Sequence, residues 1–405
     1  MALLLDVSPL RESRDFRWLF TGRCALLLGG ALTETAAGWQ LYGLTGSTVA
    51  VGLGGLVTSL GMIAGLLLGG MLADRVDRRA LLTAVRLPGA LFALALLGNS
   101  LLDSPRLWLI YVSTTAIGFL AGLGAPATYA AVPALVGVKR LAAVAALNGL
   151  TTQSAALLGP ALAGYLIAGP GLVACFAVDA AGFALFAVAM RFVRPLPPST
   201  PAPTRPGLRS MAEGFRYVRG NQIVAGVMLV DAVAMLCAAP KSLFPALATD
   251  WFGGDATTFG LLSAAPAAGA IAAAATSGWT SRVRLPGMVA LIATAIWGLA
   301  IAGLGLTHAL FAGMALLALS GAADLVSEIL RGSLLQAHTP DGLRGRVTSL
   351  WLAQTNGAPA FGSARAGVVA QVAGLPGALI GGGLACVLGL GIVALRLREF
   401  RRVRG

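Results

Sequence analysis

Gly70-Met-Leu-Ala-Asp74-Arg75-Val-Asp77-Arg78-Arg79 is a tight charged turn set between two long apolar runs. Val49–Leu72 leads into it and Ala80–Leu102 leads away. About 20 predominantly apolar residues are enough for a helix to cross a bilayer, and each run is of that order. The turn therefore reads as a water-facing connection between two membrane helices.

Composition extends that reading to the whole chain. The 405 residues are 57% hydrophobic and only 11% charged, with mean hydropathy +0.83. A soluble domain carries about 25% charged residues, so length alone, which would allow two or three soluble domains, misleads here. Fifty-four glycines suit close helix contacts inside a membrane. Cys24, Cys175, Cys237 and Cys386 are far apart and form no CxxC, so neither a metal site nor a redox pair is indicated. The N-terminal stretch lacks a secretory apolar core with a cleavage site, and Arg23 and Glu34 in the first apolar run argue against a cleaved signal.

Twelve spans can be read, at about 18–42, 49–73, 80–102, 107–131, 141–166, 172–193, 222–246, 257–279, 286–306, 309–334, 346–370 and 375–396. A lipid-facing backbone must satisfy its own hydrogen bonds, which makes the expected fold class an all-α membrane protein. The basic residues set the orientation. With the N-terminus inside, one side receives Arg11, Arg14, Arg17, the first turn with Arg86, Lys139, Arg140, Arg191, Arg194 and the later cytoplasmic loops and tail. The opposite loops hold only Arg106. Both termini are expected in the cytoplasm. The net charge of +13 is then topological, directed at anionic lipid headgroups, and a nucleic-acid partner is excluded.

Arg194–Gly207 contains six prolines and reads as an extended linker. Leu208–Arg219 follows as an amphipathic helix with Leu208, Met211, Phe215 and Val218 on one face. The expected domains are an N-terminal six-helix half at 1–193, the linker with its helix at 194–221, and a C-terminal six-helix half with a basic tail at 222–405. Such a 6+6 chain suits two halves related by an axis along the membrane normal. Gly278-Trp-Thr-Ser-Arg282-Val-Arg284 is a faint second copy of the opening turn that has lost its acids.

The opening turn resembles the loop between helices 2 and 3 of the major facilitator superfamily, with Asp77 standing where that family usually has Gly. The resemblance implies gating by Gly70, Asp74, Arg75 and Arg78, with Asp74 approaching the start of span 11 near Arg346. In span 5, Gly159-Pro160-Ala-Leu-Ala163-Gly164 resembles the family's antiporter motif, which implies export against a counter-ion. A generic kinked helix accounts for the same residues.

Ionised side chains at a helix centre cost about 2.5–3.5 kcal/mol each on insertion scales. The spans hold Arg23 and Glu34, Asp179, Asp231 and Lys241, and Asp324, Glu328 and Arg331. By resemblance spans 1, 4, 7 and 10 line a central cavity, and only Asp179 lies outside those four. Arg23 and Glu34 share a helix face three turns apart, whereas Asp231 and Lys241 do not share one. Asp324, Glu328 and Arg331 share a face with Ser320 and Ser327, and a structural Glu328–Arg331 pair is the expected arrangement. A proton-coupled exporter needs a carboxyl that loads and unloads a proton. Glu34 is the first candidate, with Asp324, Glu328 and Asp231 behind it and Arg23, Arg331 and Lys241 as charge partners.

Substrate-cavity candidates are Tyr111 and Thr115 in span 4, Asn148 and Gln153 in span 5, Phe244 in span 7, and Trp351, Gln354 and Asn356 in span 11. Neutral hydrogen-bonders among aromatics suit a bulky, partly polar organic molecule. Span 4 lacks the arginine that many drug–proton antiporters carry. Along nearly its full length the chain resembles the enterobactin-exporter branch of the superfamily. The resemblance rests on Arg14-Asp-Phe-Arg17, Pro133-Ala-Leu-Val-Gly137, Phe244-Pro-Ala-Leu-Ala248 with Trp251, and Gly345-Arg346-Val347 with Leu350-Trp351 and Ala353-Gln354. It implies proton-coupled siderophore export across a bacterial cytoplasmic membrane by a multi-pass monomer, with a macrolide or multidrug exporter as the alternative. No enzyme is expected: His308 and His338 fall at opposite faces and no nucleophile–base pair or metal cluster appears. No cofactor is expected, and no phosphate-binding Gly-x-x-x-x-Gly-Lys loop exists.

Overall fold

The structure, a computed structural model, describes residues 6–137, 140–197 and 208–404, with backbone alone at 208–211. Lys139 and most of the proline-rich linker lie outside the described residues, as do the side chains of Leu208 and Met211. Among the described residues every regular element is helical. The long helices are α1 (Arg14–Thr45), α2 (Thr48–Ala73), α3 (Arg78–Ala84 and Arg86–Ser100), α4 (Leu107–Val136), α5 (Leu141–Ala168) and α6 (Leu172–Arg191). They continue as α7 (Gln222–Ala238), α8 (Ala256–Ala275), α9 (Pro286–Leu304), α10 (Leu310–Ala337) and α11 (Asp341–Arg396). Among the described residues ten helices are long and apolar enough to cross a membrane. The chain is thus a multi-pass membrane protein.

Local chemistry sets the helix ends. Ser13 caps α1 by accepting from the Phe16 N–H, and Asn221 caps α7 by accepting from Ile223 and Val224. Gly46 ends α1 with φ 61°, a left-handed conformation that suits glycine. Gly374, at φ 72°, is a non-helical point inside the 56 residues of α11.

Span 7 departs from the continuous helix expected over 222–246. Pro240 has no N–H to donate, and Ala239 before it is extended at ψ 110°. The chain resumes as a 3-10 turn at Lys241–Leu243, a short helix at Phe244–Ala246 and a π turn at Leu247–Trp251. The carbonyl of Cys237, which a continuous helix would use internally, accepts from the Arg365 guanidinium instead.

Two compact units divide the chain. The first comprises Met1–Gly46, Val57–Pro201 and Asp255–Ala264. Glycines carry its closest helix contacts. A Cβ on Gly118 of α4 would stand 2.5 Å from the Thr58 carbonyl of α2, and one on Gly65 of α2 would run into the Phe119 carbonyl. Its apolar core gathers Phe16 and Leu19 of α1, Leu82 of α3, and Phe186 and Met190 of α6.

The second unit comprises Ser47–Leu56, Ala202–Gly254 and Ala265–Gly405. Thr48 at the start of α2 donates to the Gly367 carbonyl of α11 at 2.9 Å. The Leu208–Gly220 helix is held by Tyr217, whose hydroxyl donates to the His338 carbonyl at 2.5 Å, and by Glu213, which pairs with Arg346. On that helix Val218 is buried and Phe215 exposed. Phe400 of the terminal turn is fully buried beside Gly226 and Gly287.

Candidate functional site

The opening turn is built around Asp77. One carboxylate oxygen accepts from the Ala80 N–H at 2.9 Å and caps α3; the other accepts from the Leu196 N–H at 2.6 Å. The Arg78 N–H donates back to the Leu196 carbonyl at 2.9 Å. The buried Arg78 guanidinium reaches the Ala130 carbonyl of α4, and Arg79 reaches the Arg191 carbonyl at the end of α6. Arg194 pairs with Asp15 at 3.4 Å and donates to the Ala134 carbonyl. Asp74 and Arg75 are exposed, and a Cβ on Gly70 would meet nothing within 4 Å. The motif comparison registers Asp77 only as a departure from the family pattern, and its structural role as a tie to Leu196 goes unread. An Asp just before Arg-Arg-Ala is nevertheless a legible helix cap.

In the second unit α7, α10 and α11 bring four polar side chains together. Arg331 of α10 donates to Asp231 of α7 at 2.5 Å and to Asp324 of its own helix at 3.5 Å. Gln354 of α11 donates to the other Asp231 oxygen at 2.9 Å and to the Met228 carbonyl at 2.8 Å. The Arg331 and Asp231 side chains are 3% and 5% exposed, and that of Asp324 is 36% exposed. This corrects the expected Glu328–Arg331 pair. Glu328 lies exposed on α10, while the packing of α7 against α10 offers Arg331 a buried carboxylate. Ser327 on the same stripe bonds Thr294 of α9 at 2.7 Å.

The remaining candidates are dispersed. Glu34 is exposed on α1 between the buried Thr33 and Thr35, and Lys241 is exposed just after the Pro240 break. Arg23 is half-buried, and its Nε has no hydrogen-bond partner. Thr115 packs on Gly61 of α2. Tyr111, Asn148 and Gln153 are half-buried, Phe244 is buried, and Trp251 stacks on His308. Trp351 is half-buried with its indole N–H unpartnered, and Asn356 bonds the Leu352 carbonyl of its own helix. The α5 motif makes close crossings: Gly159 abuts Ala31 of α1, and a Cβ on Gly164 would stand 2.5 Å from the Ala256 carbonyl of α8. Pro160 leaves α5 unbroken. Asp179, buried on α6, accepts from Thr33 at 2.7 Å. Among the described residues no three His, Cys, Asp or Glu side chains gather as metal ligands.

A family model described as "Transmembrane secretion effector" matches residues 6–403. Curated relatives include "Enterobactin exporter EntS" of Citrobacter koseri, 34% identical over 402 residues, covering 99% of this chain and 96% of that protein. The protein of the same name from Shigella boydii serotype 18 is also 34% identical over 402 residues, covering 98% and 96%. Among solved structures, a bacterial homologue of the human lysosomal transporter Spinster aligns with TM-score 0.74 at 16% identity, over 99% of both chains. A bacterial homologue of the iron transporter ferroportin aligns with TM-score 0.70 at 16% identity, over 95% of this chain and 98% of that one. At such identities the structural likeness speaks for the fold alone.

Proposed function

Because the chain belongs to the transmembrane secretion effector family of the major facilitator superfamily, we propose that it exports a siderophore-like organic molecule from the cytoplasm by proton antiport with alternating access. As a member of that family it is a transporter and not an enzyme. Similarity to named enterobactin exporters along nearly the full length carries the choice of cargo. In this reading α1 crosses the bilayer with the ten spans, and α11 crosses twice, turning at Gly374, which makes twelve. Both termini lie in the cytoplasm, a six-helix half stands on each side of the 194–221 linker segment, and the protein works as a monomer in the bacterial cytoplasmic membrane.

Charge accounting supports a coupling role for Asp324. One guanidinium faces two carboxyl groups, so the trio holds one more acid than base, a surplus that one proton can neutralise. Asp231 is the better enclosed partner and Asp324 the more accessible one. Proton loading on Asp324 would leave Arg331 with Asp231 alone, a two-state charge arrangement that access can follow. Glu34 is the corresponding candidate on α1. The polar and aromatic side chains Tyr111, Thr115, Asn148, Gln153, Phe244, Trp351, Gln354 and Asn356 are assigned to the cargo, and the Gly70–Arg79 turn with Arg346 to gating.

Purified protein in liposomes under an imposed proton gradient tests this. The expected result is gradient-driven movement of a catecholate siderophore, lost in Asp324→Asn while cargo binding persists. Movement of macrolides alone would assign the chain to the drug-exporter branch. Full gradient-driven transport in Asp324→Asn would remove Asp324 from coupling.

A further inference from the structure

The basic stretch after α11 is fixed to the second unit by a buried ring. α11 ends at Arg396, and Arg398–Arg402 forms one further turn. Phe400 of that turn is fully buried, and Val403 is 9% exposed. A Cβ on Gly226 of α7 would collide with the Phe400 ring, and one on Gly287 of α9 with the Phe400 carbonyl. The Glu399 N–H donates to Gln222 Oε1 at the start of α7 at 3.4 Å. A helix advances about 100° per residue, so Arg398 and Arg402 stand side by side, each about 200° round from Phe400. Burying Phe400 therefore turns both guanidinium groups outward. Both residues are exposed, as are Arg396 and Arg404, and Glu399 is the one acid in 396–404.

A second arginine pair flanks this turn. On the Leu208–Gly220 helix Val218 is buried, and Gly214 packs on Arg346 and Leu350 of α11. Arg216 and Arg219, one turn apart, are exposed. Arg219 is three residues from Gln222, at most about 11 Å along the chain. Two arginine pairs on separate elements thus stand on either side of the Gln222–Glu399 contact. Leu388, Ile392 and Leu395 follow one another on one face of α11 and are 70%, 60% and 71% exposed, an apolar stripe that runs to Arg396. A topological signal needs only basic residues near the ends of spans. It does not need the turn that carries them to be pinned by a buried ring.

We propose that the terminal turn and the Leu208–Gly220 helix form a binding site for an anionic phospholipid with two phosphates. Arg398 and Arg402 hold one phosphate and Arg216 and Arg219 the other, with acyl chains along Leu388, Ile392 and Leu395. A guanidinium meets phosphate oxygens with two parallel hydrogen bonds, and basic groups at the end of a lipid-facing stripe meet the headgroup where it lies. Such a lipid ties the helix before α7 to the end of α11, and the site is independent of the cargo.

Fluorescence anisotropy of tail-labelled cardiolipin on the purified full chain in maltoside micelles tests this. Tail-labelled phosphatidylglycerol is the one-phosphate probe and pyrophosphate the one without acyl chains. Cardiolipin should bind at least about tenfold more tightly than phosphatidylglycerol, since its second phosphate engages intramolecularly. Excess pyrophosphate should not displace it. Each arginine removed should weaken cardiolipin binding about fivefold, so Arg398→Gln/Arg402→Gln and Arg216→Gln/Arg219→Gln should each lose more than about tenfold. Arg398→Lys/Arg402→Lys keeps the charge, should retain part of the affinity and reports on folding. Phe400→Ala keeps every charge but frees the turn, and should weaken binding too. Arg11→Gln/Arg17→Gln removes as much charge from the first unit and should leave binding unchanged. An equal loss in that control would mark diffuse attraction to a basic surface and overturn the site. So would equal affinity for phosphatidylglycerol, displacement by pyrophosphate, or unchanged affinity in Phe400→Ala or in either glutamine double variant.

Discussion

Arg331→Met removes the base that the buried Asp231 and the partly exposed Asp324 share, and keeps most of the side-chain volume. Asp231, 5% exposed, would then keep only the Gln354 amide as a side-chain donor among the described residues. Breaking a buried pair from one side costs about 3–5 kcal/mol, because the surviving charge stays desolvated. The Asp324 contact adds little to that figure. At 3.5 Å and 36% exposure it belongs with partly solvated pairs, worth below about 1 kcal/mol. Adding Asp231→Asn to Arg331→Met removes the stranded charge while keeping an acceptor for Gln354. The double variant should return to within about 1 kcal/mol of the parent, a non-additivity expected of side chains in contact. Equilibrium unfolding in mixed detergent–dodecyl sulfate micelles would measure both. A single variant as stable as the parent, or a double variant no better than the single, would refute the claim that Asp231 is Arg331's principal partner.

Asp77→Ala should lose both a helix cap worth about 1 kcal/mol and the acceptor of the Leu196 N–H, speeding hydrogen exchange at Ala80 and Leu196 about tenfold, since 1.4 kcal/mol is tenfold. Asp77→Gly, which installs the usual residue of the family's pattern, should not rescue that protection; protection restored by glycine would show that loop shape alone holds the contact. Gly65→Leu should abolish the α2–α4 contact, because the Phe119 carbonyl facing it belongs to rigid backbone. Size-exclusion profiles should show an aggregated or unfolded fraction, whereas Gly70→Ala, facing open space, should elute as the parent does.

The long helices were legible because bilayer thickness imposes one length and one polarity on every span. The expected ranges 107–131, 141–166 and 286–306 fall on α4, α5 and α9. Pro240 was visible inside span 7, and its two backbone effects break the helix where it stands. The partners of Arg331 were not legible. Spacing along one helix names Glu328, three residues away, but lateral packing of α7 on α10 selects Asp231, a hundred residues away. Asp77 was hidden for a different reason: a motif comparison registers it as a deviation, and its second contact, to Leu196, lies more than a hundred residues downstream. Arg86 reads from sequence as a cytoplasmic loop charge, and only the fold brings it under α4 and against Phe186.

The break in span 7 joins the histories of two helices. Restoring an amide donor at position 240 would let the chain continue its own ladder, and the Cys237 carbonyl would turn inward. Arg365, whose one acceptor among the described residues is that carbonyl, would then be stranded in α11. Conversely, losing the arginine while keeping the proline leaves a bare carbonyl at the break. Each substitution is harmful without the other, so the proline and the arginine form a two-locus lock. Relatives with an unbroken seventh span should also carry a neutral residue in place of the arginine.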